Sequence, residues 1–235
     1  MNLGMTLKKA LQRFGYDLKY HRPFYETVVR PLGIRTILDI GANDGNYAVH
    51  MRTLFPDATV YAFEPLTDCY GRIVEKANRD SHIIPLHYAL GETHDQLTIK
   101  RSSFHPSSSL LPMTSLHKEL YPKSKESSEE RIEVRRLDDA GRDLEFSSPL
   151  LVKMDVQGYE DRVIRGGSAI LSKASIIVVE TAYVSLYENQ PLFATIHNLL
   201  HGLGFVYYGA VERHYDKQGR PLYEDSAFIK AELIT

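Results

Sequence analysis

The stretch Ile37 to Tyr47 constrains the fold more than any other part of the chain. A short apolar run ends in Asp39, passes through Gly41 and Gly45, and opens into a segment with helical periodicity. This order predicts a strand, then a tight turn, then the first turn of a helix. Such a junction places backbone N–H groups and the positive end of the helix beside a surface pocket. The carboxylate at the strand end adds a preference for groups that donate hydrogen bonds or carry positive charge. The stretch therefore predicts a site for a cofactor with mixed charges.

The length and the net charge of the chain limit the number of domains and the kinds of partner that it can have. The chain has 235 residues, 28 basic against 30 acidic, so it fits one α/β domain with a small extension and has no overall field that recruits nucleic acid or acidic membranes. The single cysteine, Cys69, excludes an intrachain disulfide and a multi-cysteine metal cluster. No segment approaches the roughly 18 apolar residues that span a bilayer, and the N-terminus lacks an apolar run of signal-peptide length. We expect a cytosolic protein with no nucleic-acid partner and no membrane span.

The N-terminal part is predicted to be helical. Apolar residues recur at helical spacing over Thr6–Tyr20, which indicates an amphipathic helix packed on the domain edge. The alternatives are a lid over the active site or a dimer contact, which would make the protein a homodimer. A second short helix is predicted at Phe24–Arg30, before Pro31. We therefore divide the chain into a helical extension, residues 1–31, and a main domain, residues 32–235.

The main domain alternates between strands and helices. Strands followed by helices, repeated about five times, predict a parallel sheet with helices on both faces. A final hairpin, with its turn at Asp216–Arg220, adds a strand that runs the other way. The predicted strands of the sheet and hairpin are Arg35–Ile40, Ala58–Phe63, Ile83–Tyr88, Leu150–Met154, Ile176–Val179, Phe205–Tyr208 and Ser226–Leu233.

An insertion at about residues 102–131 interrupts this alternation. An extra strand is predicted before it at Gln96–Arg101, and another after it at Arg131–Leu137. Between them, Phe104–Glu130 is expected to have little regular structure, and such a long segment inside a domain is typical of a functional loop. Its serine-rich half, Ser107–Leu111, is the better candidate for a wall of the site.

Acidic residues stand at the carboxyl ends of four predicted strands: Asp39, Glu64, Asp155 and Glu180. In an open parallel sheet these ends lie at one edge, where ligands bind near the point at which the strand order reverses. We therefore expect the four carboxylates to converge on one site.

The spacing also indicates the type of cofactor. Glu64 lies 19 residues after Gly45, where a carboxylate can accept hydrogen bonds from both hydroxyls of a ribose. A nicotinamide dinucleotide would favour Gly-x-Gly-x-x-Gly. The pattern here is Asp39-x-Gly41-x-x-x-Gly45, which suits S-adenosylmethionine, because an acidic edge tolerates an amino group and a sulfonium better than a pyrophosphate.

The motifs taken together resemble the FkbM family of S-adenosylmethionine-dependent methyltransferases over about Arg35 to Glu180. The matching segments are Asp39–Tyr47, Phe63-Glu-Pro65, Ala89-Leu-Gly91, Ser107–Leu110, Arg136-Leu-Asp-Asp139 and Lys153-Met-Asp-Val-Gln-Gly-Tyr-Glu160. The resemblance implies a class I, Rossmann-like α/β fold with a seven-stranded sheet. It also implies methylation of a hydroxyl on a sugar, glycan or other secondary metabolite.

Carried over position by position, the resemblance predicts the cofactor-binding residues. Asp39, Gly41, Asn43 and Gly45 would surround the methionine part, Glu64 would bind the ribose, and Tyr88-Ala89 would lie near the adenine. Tyr47, Pro65 and Asp155 complete the predicted set. The turn His87-Tyr88-Ala89 departs from the Asn-x-Ala that family members often have, which leaves the adenine contacts open.

Asp155 is the predicted base or metal ligand. A sugar hydroxyl is a weak acid, and a divalent cation would lower its pKa, so Asp155 and Glu180, with Asp138 or Asp139 nearby, are candidate magnesium ligands. In the alternative, Asp155 holds the amino group of the cofactor and a histidine is the base, with His105 and His214 as candidates. Ser108, Ser109, Gln157 and Tyr183 are the predicted acceptor-site residues.

Three classes of function remain open at this point. The first is O-methylation of a small-molecule or glycan acceptor. The second comprises N-methylation of an amino sugar or peptide and a nicotinamide-dependent oxidoreductase with the same nucleotide layout. The third is a non-catalytic scaffold that retains the methyltransferase fold.

Overall fold

A computed structural model describes residues 23–102, 108–124 and 126–234. The predicted helix Thr6–Tyr20 and the candidate base His105 lie outside the described residues. The strands, in chain order, are β1 Thr36–Ile40, β2 Thr59–Phe63, β3 Ile83–Leu86, β4 Ala89–Leu90, β5 Asp95–Ser102, β6 Glu126–Arg135, β7 Leu150–Met154, β8 Ile176–Ala182, β9 Phe205–Tyr215 and β10 Pro221–Lys230. The α-helices are α1 Asn46–Leu54, α2 Thr67–Ala77, α3 Ser115–Leu120, α4 Leu137–Ala140, α5 Glu160–Gly166, α6 Ser168–Leu171 and α7 Phe193–Gly202.

The main sheet has seven strands in the order β3-β2-β1-β7-β8-β10-β9. The first five of these are parallel to one another, and β10 runs antiparallel to both β8 and β9. This arrangement confirms the predicted α/β fold with a mostly parallel seven-stranded sheet and an antiparallel strand. The strand order reverses at β1, which lies between β2 and β7, so the predicted site falls at the switch point of the sheet.

Two hydrophobic clusters pack on the two faces of this sheet. Successive residues of a strand point to opposite faces, so Leu38 joins the cluster that includes Val163 and Leu200 from α5 and α7. Its neighbour Ile37 joins the cluster that includes Met51 and Ile73 from α1 and α2. Both clusters consist of buried residues, and the parallel strands read as nearly continuous apolar runs because both of their faces are covered.

A second, three-stranded sheet, in the order β4-β6-β5, follows β3. The predicted strand Ile83–Tyr88 ends earlier, at Leu86, and the chain then leaves the main sheet. Ala89-Leu90 pairs with β6 instead, and the N–H of Gly91 donates to the carbonyl oxygen of Arg135 at 2.9 Å. The predicted extra strand before the insertion is β5, and its antiparallel partner β6 begins at Glu126, not at Arg131. Sequence alone did not indicate that these strands form a separate sheet.

The described part of the 102–131 segment is more regular than expected. Helix α3 is capped by Thr114, whose Oγ1 accepts the N–H of His117 at 3.2 Å. The segment is attached to the loop after β8, because Thr114 N–H donates to the Leu186 carbonyl at 3.0 Å and Glu188 N–H donates to the Pro112 carbonyl at 2.8 Å. The insertion therefore covers the carboxyl edge of the sheet.

The two ends of the described chain also differ from the prediction in their bounds. The helix expected at Phe24–Arg30 is a π-helical turn, Tyr25–Val29, followed by a 3₁₀ turn that contains Pro31. Proline is tolerated there because the N–H groups of a first turn have no partner within the helix. The closing hairpin has longer strands than predicted around the expected turn at Asp216–Arg220. None of the helices in the described ranges is long and apolar enough to cross a membrane.

We predict that Gly41→Ala destabilises the protein far more than Gly33→Ala. Both glycines have positive φ, 81° and 65°, so an alanine costs about 1 kcal/mol at either position from backbone conformation alone. At Gly33 a Cβ would meet nothing within 4 Å, whereas at Gly41 it would overlap the backbone carbonyl of Asp155. The expected loss for Gly41→Ala is about 3 kcal/mol or more, since β1 and β7 would have to separate. Urea unfolding of both variants measures this, and equal losses would contradict the prediction.

Candidate active site

The turn after β1 contains three residues with positive φ. Gly41, Asn43 and Gly45 have φ of 81°, 49° and 76°, and α1 begins at the next residue. The N–H groups of Gly41 and Ala42 donate to the carbonyl oxygen of Phe63 at 3.1 and 3.0 Å. These bonds fix the turn against the end of β2, where its backbone can come close to a ligand.

Glu64 lies directly after β2 and is held by this turn. Its Oε2 accepts the N–H of Asn43 at 2.8 Å, and its Oε1 accepts the N–H of Leu66 at 2.9 Å. The residue is only 5% exposed, and burial raises the pKa of Glu64 to about 7, an effect that the two N–H donors offset only in part. Each oxygen keeps a free lone pair, so the carboxylate can accept hydrogen bonds from two adjacent hydroxyls.

Lys153 supplies the positive charge of the site. Its Nζ lies 3.8 Å from Asp39 Oδ1 and 3.4 Å from Asp155 Oδ2, and 5.6 Å from the ring centre of Tyr47. Burial lowers the pKa of Lys153, but the carboxylates of Asp155 and Asp39 outweigh that effect, so the pKa stands above its ordinary value. The lysine therefore stays protonated between the two acids.

Asp39 lies beneath this site and is fully buried. Burial raises its pKa to about 6, although Lys153 acts in the opposite direction. Neither of its carboxylate oxygens has a hydrogen-bond partner among the described residues. A carboxylate without donors is costly in the interior, so its charge depends on Lys153.

A first cavity of about 240 Å³ opens at the ends of β1, β2 and β7. One side is polar and includes seven of the predicted cofactor-binding residues: Gly41, Asn43, Tyr47, Glu64, Pro65, Ala89 and Asp155, with Lys153 beside them. The other side is apolar and is formed by Leu66, Ile99, Leu110 and Ile132. The polar side can hold a ribose and an amino acid, and the apolar side offers a slot for a planar base, so the residues present fit S-adenosylmethionine.

Three of the predicted cofactor-binding residues do not line this cavity. Asp39 lies below it, and Gly45 lies at the start of α1, where a Cβ would contact Ile73. Tyr88 is buried, with its ring 5.7 Å from that of Phe63 and the Arg135 guanidinium 4.3 Å from its centre. Two of the residues on the apolar side of the cavity, Ile99 and Ile132, belong to the second sheet, to which the sequence had assigned no role.

The loop after β7 is built around Gln157. This residue has a φ of 54°, and its amide nitrogen donates to Asp155 Oδ1 at 2.6 Å. The hydroxyl of Tyr187 donates to Gln157 Oε1 at 2.8 Å, which orients the amide, and Ser109 Oγ donates to the Gln157 carbonyl at 2.6 Å. The buried carboxylate of Glu160 accepts the N–H groups of the loop at 3.2 and 3.1 Å, and burial raises its pKa to about 7. The position of Asp155 is therefore fixed from several sides.

A second cavity, of about 530 Å³, adjoins the first, and Asp155 and Gln157 line both. Glu180 and Asp225 also line it, and they face each other across the β8–β10 pair. Burial, reinforced by the charge of Asp155, raises the pKa of Glu180 well above its ordinary value and that of Asp225 to about 6. Three of the four predicted strand-end acids thus converge directly around the two cavities, while Asp39 lies below them.

The predicted acceptor-site residues have different surroundings. Ser108 lines the first cavity and its Oγ accepts the N–H of Ser102 at 3.0 Å, while Ser109 is buried and supports Gln157. Tyr183 lines neither cavity, because its hydroxyl donates to Glu224 at 2.7 Å and its ring stacks on Phe193 with centres 5.7 Å apart. Gln157 alone among these residues lines both cavities.

Three residues at the site carry chemistry that the sequence analysis did not assign. Lys153 could have been identified from the sequence, because it is the one charged residue in the apolar strand β7. Asp225 and His117 had none, since the pairing of β10 with β8 and the folding back of the 108–124 segment bring them to the second cavity. The candidate metal ligands Asp155 and Glu180 lie near each other, but within the described ranges no three His, Cys, Asp or Glu side chains form a group that could hold a metal ion.

The chain is similar in sequence to known methyltransferases. A family model described as "Methyltransferase FkbM domain" matches residues 39–207. The 2-O-methyltransferase NoeI of Sinorhizobium fredii is 30% identical over 216 residues, which cover 84% of this chain and 86% of that protein. The hexuronic acid methyltransferase AglP of Haloferax volcanii is 30% identical over 145 residues, which cover 60% of this chain and 54% of that protein.

Solved structures share the fold. The methyltransferase FkbM of Methylobacillus flagellatus matches with a TM-score of 0.50 and 15% identity, over 87% of this chain and 48% of that one. Fibrillarin of Aeropyrum pernix, solved with bound S-adenosyl-L-methionine, matches with a TM-score of 0.50 and 14% identity, over 95% of this chain and 74% of that one. At these identities the likeness concerns the fold alone.

We predict that S-adenosylmethionine binds more weakly as the pH falls below about 7. The pKa of Glu64 is about 7 in the ligand-free protein, and hydroxyl donors favour its ionised form, so binding below this pH must release a proton. Glu64→Gln is expected to weaken binding by roughly 10- to 100-fold and to reduce the pH dependence, because a charged acceptor of two hydrogen bonds is lost.

Isothermal titration at pH 6 and pH 8 measures both effects. Glu75→Gln, which changes an exposed residue of α2, is the control and should bind as the unmodified protein does. Equal affinity of the unmodified protein at the two pH values would contradict the role of Glu64.

Proposed function

The chain belongs to the FkbM methyltransferase family, and from this premise we propose that it transfers the methyl group of S-adenosylmethionine to a hydroxyl of a sugar, glycan or secondary-metabolite acceptor. Membership rests on the family match over residues 39–207 and on the 30% identity to a 2-O-methyltransferase over most of both chains. The second relative acts, by its name, on a hexuronic acid. The name of the first relative supports transfer to a hydroxyl, and the name of the second supports a carbohydrate acceptor.

One observation of the structure carries the proposal: the two cavities share Asp155 and Gln157. A cofactor in the first cavity and an acceptor in the second would meet at these two side chains. Because methyl transfer needs the attacking oxygen, the methyl carbon and the leaving sulfur in line, it requires two ligand sites with one common boundary.

The first cavity offers complementary groups for each part of the cofactor. Glu64 can accept hydrogen bonds from the ribose hydroxyls, and the turn of Gly41 and Asn43 faces the methionine part. The Lys153 ammonium offers a counter-charge to the methionine carboxylate. The apolar slot that includes Leu66 and Ile132 can hold the adenine.

The residues of this chain align the reactants and accept a proton. S-adenosylmethionine supplies a methyl group that is already activated on a sulfonium. We assign to Asp155 the proton of the acceptor hydroxyl, because its side chain is one-third exposed at the boundary of the two cavities and is fixed by Gln157. Glu180, whose carboxyl lies 3.5 Å from the amide nitrogen of Gln157 and lines the second cavity, is the second candidate.

The site does not favour a magnesium ion on Asp155. Its Oδ1 accepts the amide of Gln157 at 2.6 Å, and its Oδ2 faces the ammonium of Lys153 at 3.4 Å. A divalent cation would have to displace the amide and would be repelled by the ammonium. We therefore expect methyl transfer in the presence of a chelator at the rate found with added magnesium, and a loss of activity in chelator would restore Asp155 and Glu180 as metal ligands.

An oxidoreductase, a scaffold and an N-methyltransferase receive less support. The family match favours neither a nicotinamide-dependent oxidoreductase nor a scaffold without activity. Transfer to a nitrogen of an amino sugar or peptide is supported only by the acidity of the second cavity, since carboxylates also bind amines. The cytosolic location and the homodimer stay predictions from the sequence.

We predict that Asp155→Asn lowers kcat for methyl transfer by roughly 10²- to 10⁴-fold, the range expected for loss of a general base. The affinity for S-adenosylmethionine should change far less, because Glu64 and the glycine turn remain. A mass-spectrometric screen of hydroxylated acceptors for a methyl-sized mass gain measures activity. Asp57→Asn is the control, because Asp57 is exposed and paired only with Arg35 at 3.3 Å among the described residues. If Asp155→Asn retains full activity on an acceptor that the unmodified protein methylates, Glu180 or His105 takes over as the candidate base.

A further inference from the structure

We propose that the second cavity selects acceptors that donate hydrogen bonds and carry no negative charge, such as neutral sugars, and that it excludes acceptors with a carboxylate near the reacting hydroxyl. The inference rests on the proposed function and specifies its substrate class. It follows from the three carboxylates that line this cavity.

The carboxylates of Asp155, Glu180 and Asp225 form one end of the cavity. Asp225 has no hydrogen bond or ion pair through its side chain among the described residues, and Glu180 accepts only the amide of Gln157 at 3.5 Å. Glu180 and Asp225 lie opposite each other in the antiparallel pair of β8 and β10, where like charges repel. An incoming hydroxyl would supply the donor that these oxygens lack, whereas an incoming carboxylate would add to the repulsion.

His117 adds a further acceptor on the opposite wall. Ser124 Oγ donates its single proton to the Tyr121 carbonyl at 2.7 Å, so in the 2.9 Å contact between Ser124 Oγ and His117 Nε2 the histidine is the donor. Nδ1 then carries a lone pair, and it has no partner in the described part of the chain although the residue is only 3% exposed. Burial lowers the pKa of His117, which keeps the ring neutral. This histidine can therefore accept a hydrogen bond but offers no positive charge to an anion.

The remaining groups do not reverse this preference. Lys123 is exposed at the edge of the cavity, and His214 stacks on the ring of Tyr223 with centres 4.4 Å apart. The ammonium of Lys153 lines the first cavity, between Asp39 and Asp155. The walls beside the acids are aromatic and aliphatic, from Tyr223 and Leu186, and suit the C–H face of a sugar ring.

The experiment that tests the proposal compares acceptors by charge. A mixed extract of oligosaccharides and small metabolites is separated by anion exchange into unbound and bound fractions, and each is incubated with the protein and S-adenosylmethionine that carries a CD₃ group. We expect at least tenfold more CD₃ in the unbound, neutral fraction. More label in the bound fraction would overturn the inference but leave methyl transfer intact. Label in neither fraction, with cofactor binding intact by titration, would count against the proposed function itself.

One variant tests whether Asp225 contributes to the preference for neutral acceptors. Its substrates are the labelled neutral acceptor and the uronate counterpart of that acceptor. Asp225→Asn should reduce the preference for the neutral acceptor by at least tenfold, because it removes one charge from the cavity. Glu212→Gln is the matched control, since Glu212 is exposed on the neighbouring strand β9 and does not line the cavity. An unchanged preference in Asp225→Asn would contradict the role of this carboxylate.

His117→Phe tests the second acceptor. It should raise KM for the acceptor about tenfold and leave the affinity for S-adenosylmethionine unchanged, and His117→Gln, which restores an acceptor atom, should recover part of the loss. A melting temperature close to that of the unmodified protein shows that the variant is folded. If the folded His117→Phe protein has an unchanged KM, or if His117→Gln is no better than His117→Phe, the lone pair of His117 plays no part in acceptor binding.

Discussion

The charge balance around Lys153 is the interaction on which the rest of the site depends. Its ammonium lies between the carboxylates of Asp39 and Asp155, at 3.8 and 3.4 Å. Asp39 is fully buried and has no hydrogen-bond donor among the described residues. Without the lysine, burial and the repulsion by Asp155 would favour the neutral form of Asp39. The edge of the sheet can hold so many carboxylates because this cation lies among them.

The two cavities on either side of Asp155 also differ in charge, because the lysine lines only the first of them. The first cavity combines the ammonium of Lys153, the carboxyl of Glu64, whose pKa is raised to about 7, and the N–H groups of a glycine turn. Together these groups suit a nucleoside that carries both positive and negative charges. On the other side, the charge of Asp155 outweighs that of Lys153 at the carboxyls of Glu180 and Asp225. Under the functions that we propose, the same set of acids suits a charged cofactor in one cavity and disfavours anions in the other.

The position of Asp155, the proposed base, is fixed by the loop after β7. Gln157 adopts a positive φ, which costs free energy in a residue other than glycine, and it is held there by Ser109 and Tyr187. Both of these residues come from segments that cover the sheet, the insertion and the loop after β8. The central sheet thus presents Asp155, whereas the covering segments determine how it is oriented and what can approach it. We expect specificity to differ among family members mainly through these covering segments.

The sequence by itself determined the strands and helices of the sheet, the glycine turn and most of the polar side of the first cavity. Strand and helix periodicity are local properties, and the glycine turn with Glu64 follows at fixed spacing from β1, so these features could be read from neighbouring residues. Tyr88 and Tyr183 line neither cavity, because the path of the chain after β3 and the bonding of Tyr183 to Glu224 depend on distant pairing. Lys153, Asp225 and His117 reach the site only through strand order and through the folding back of the insertion. The tertiary structure therefore decided the charge of the second cavity, since that charge is a sum over residues far apart in the chain.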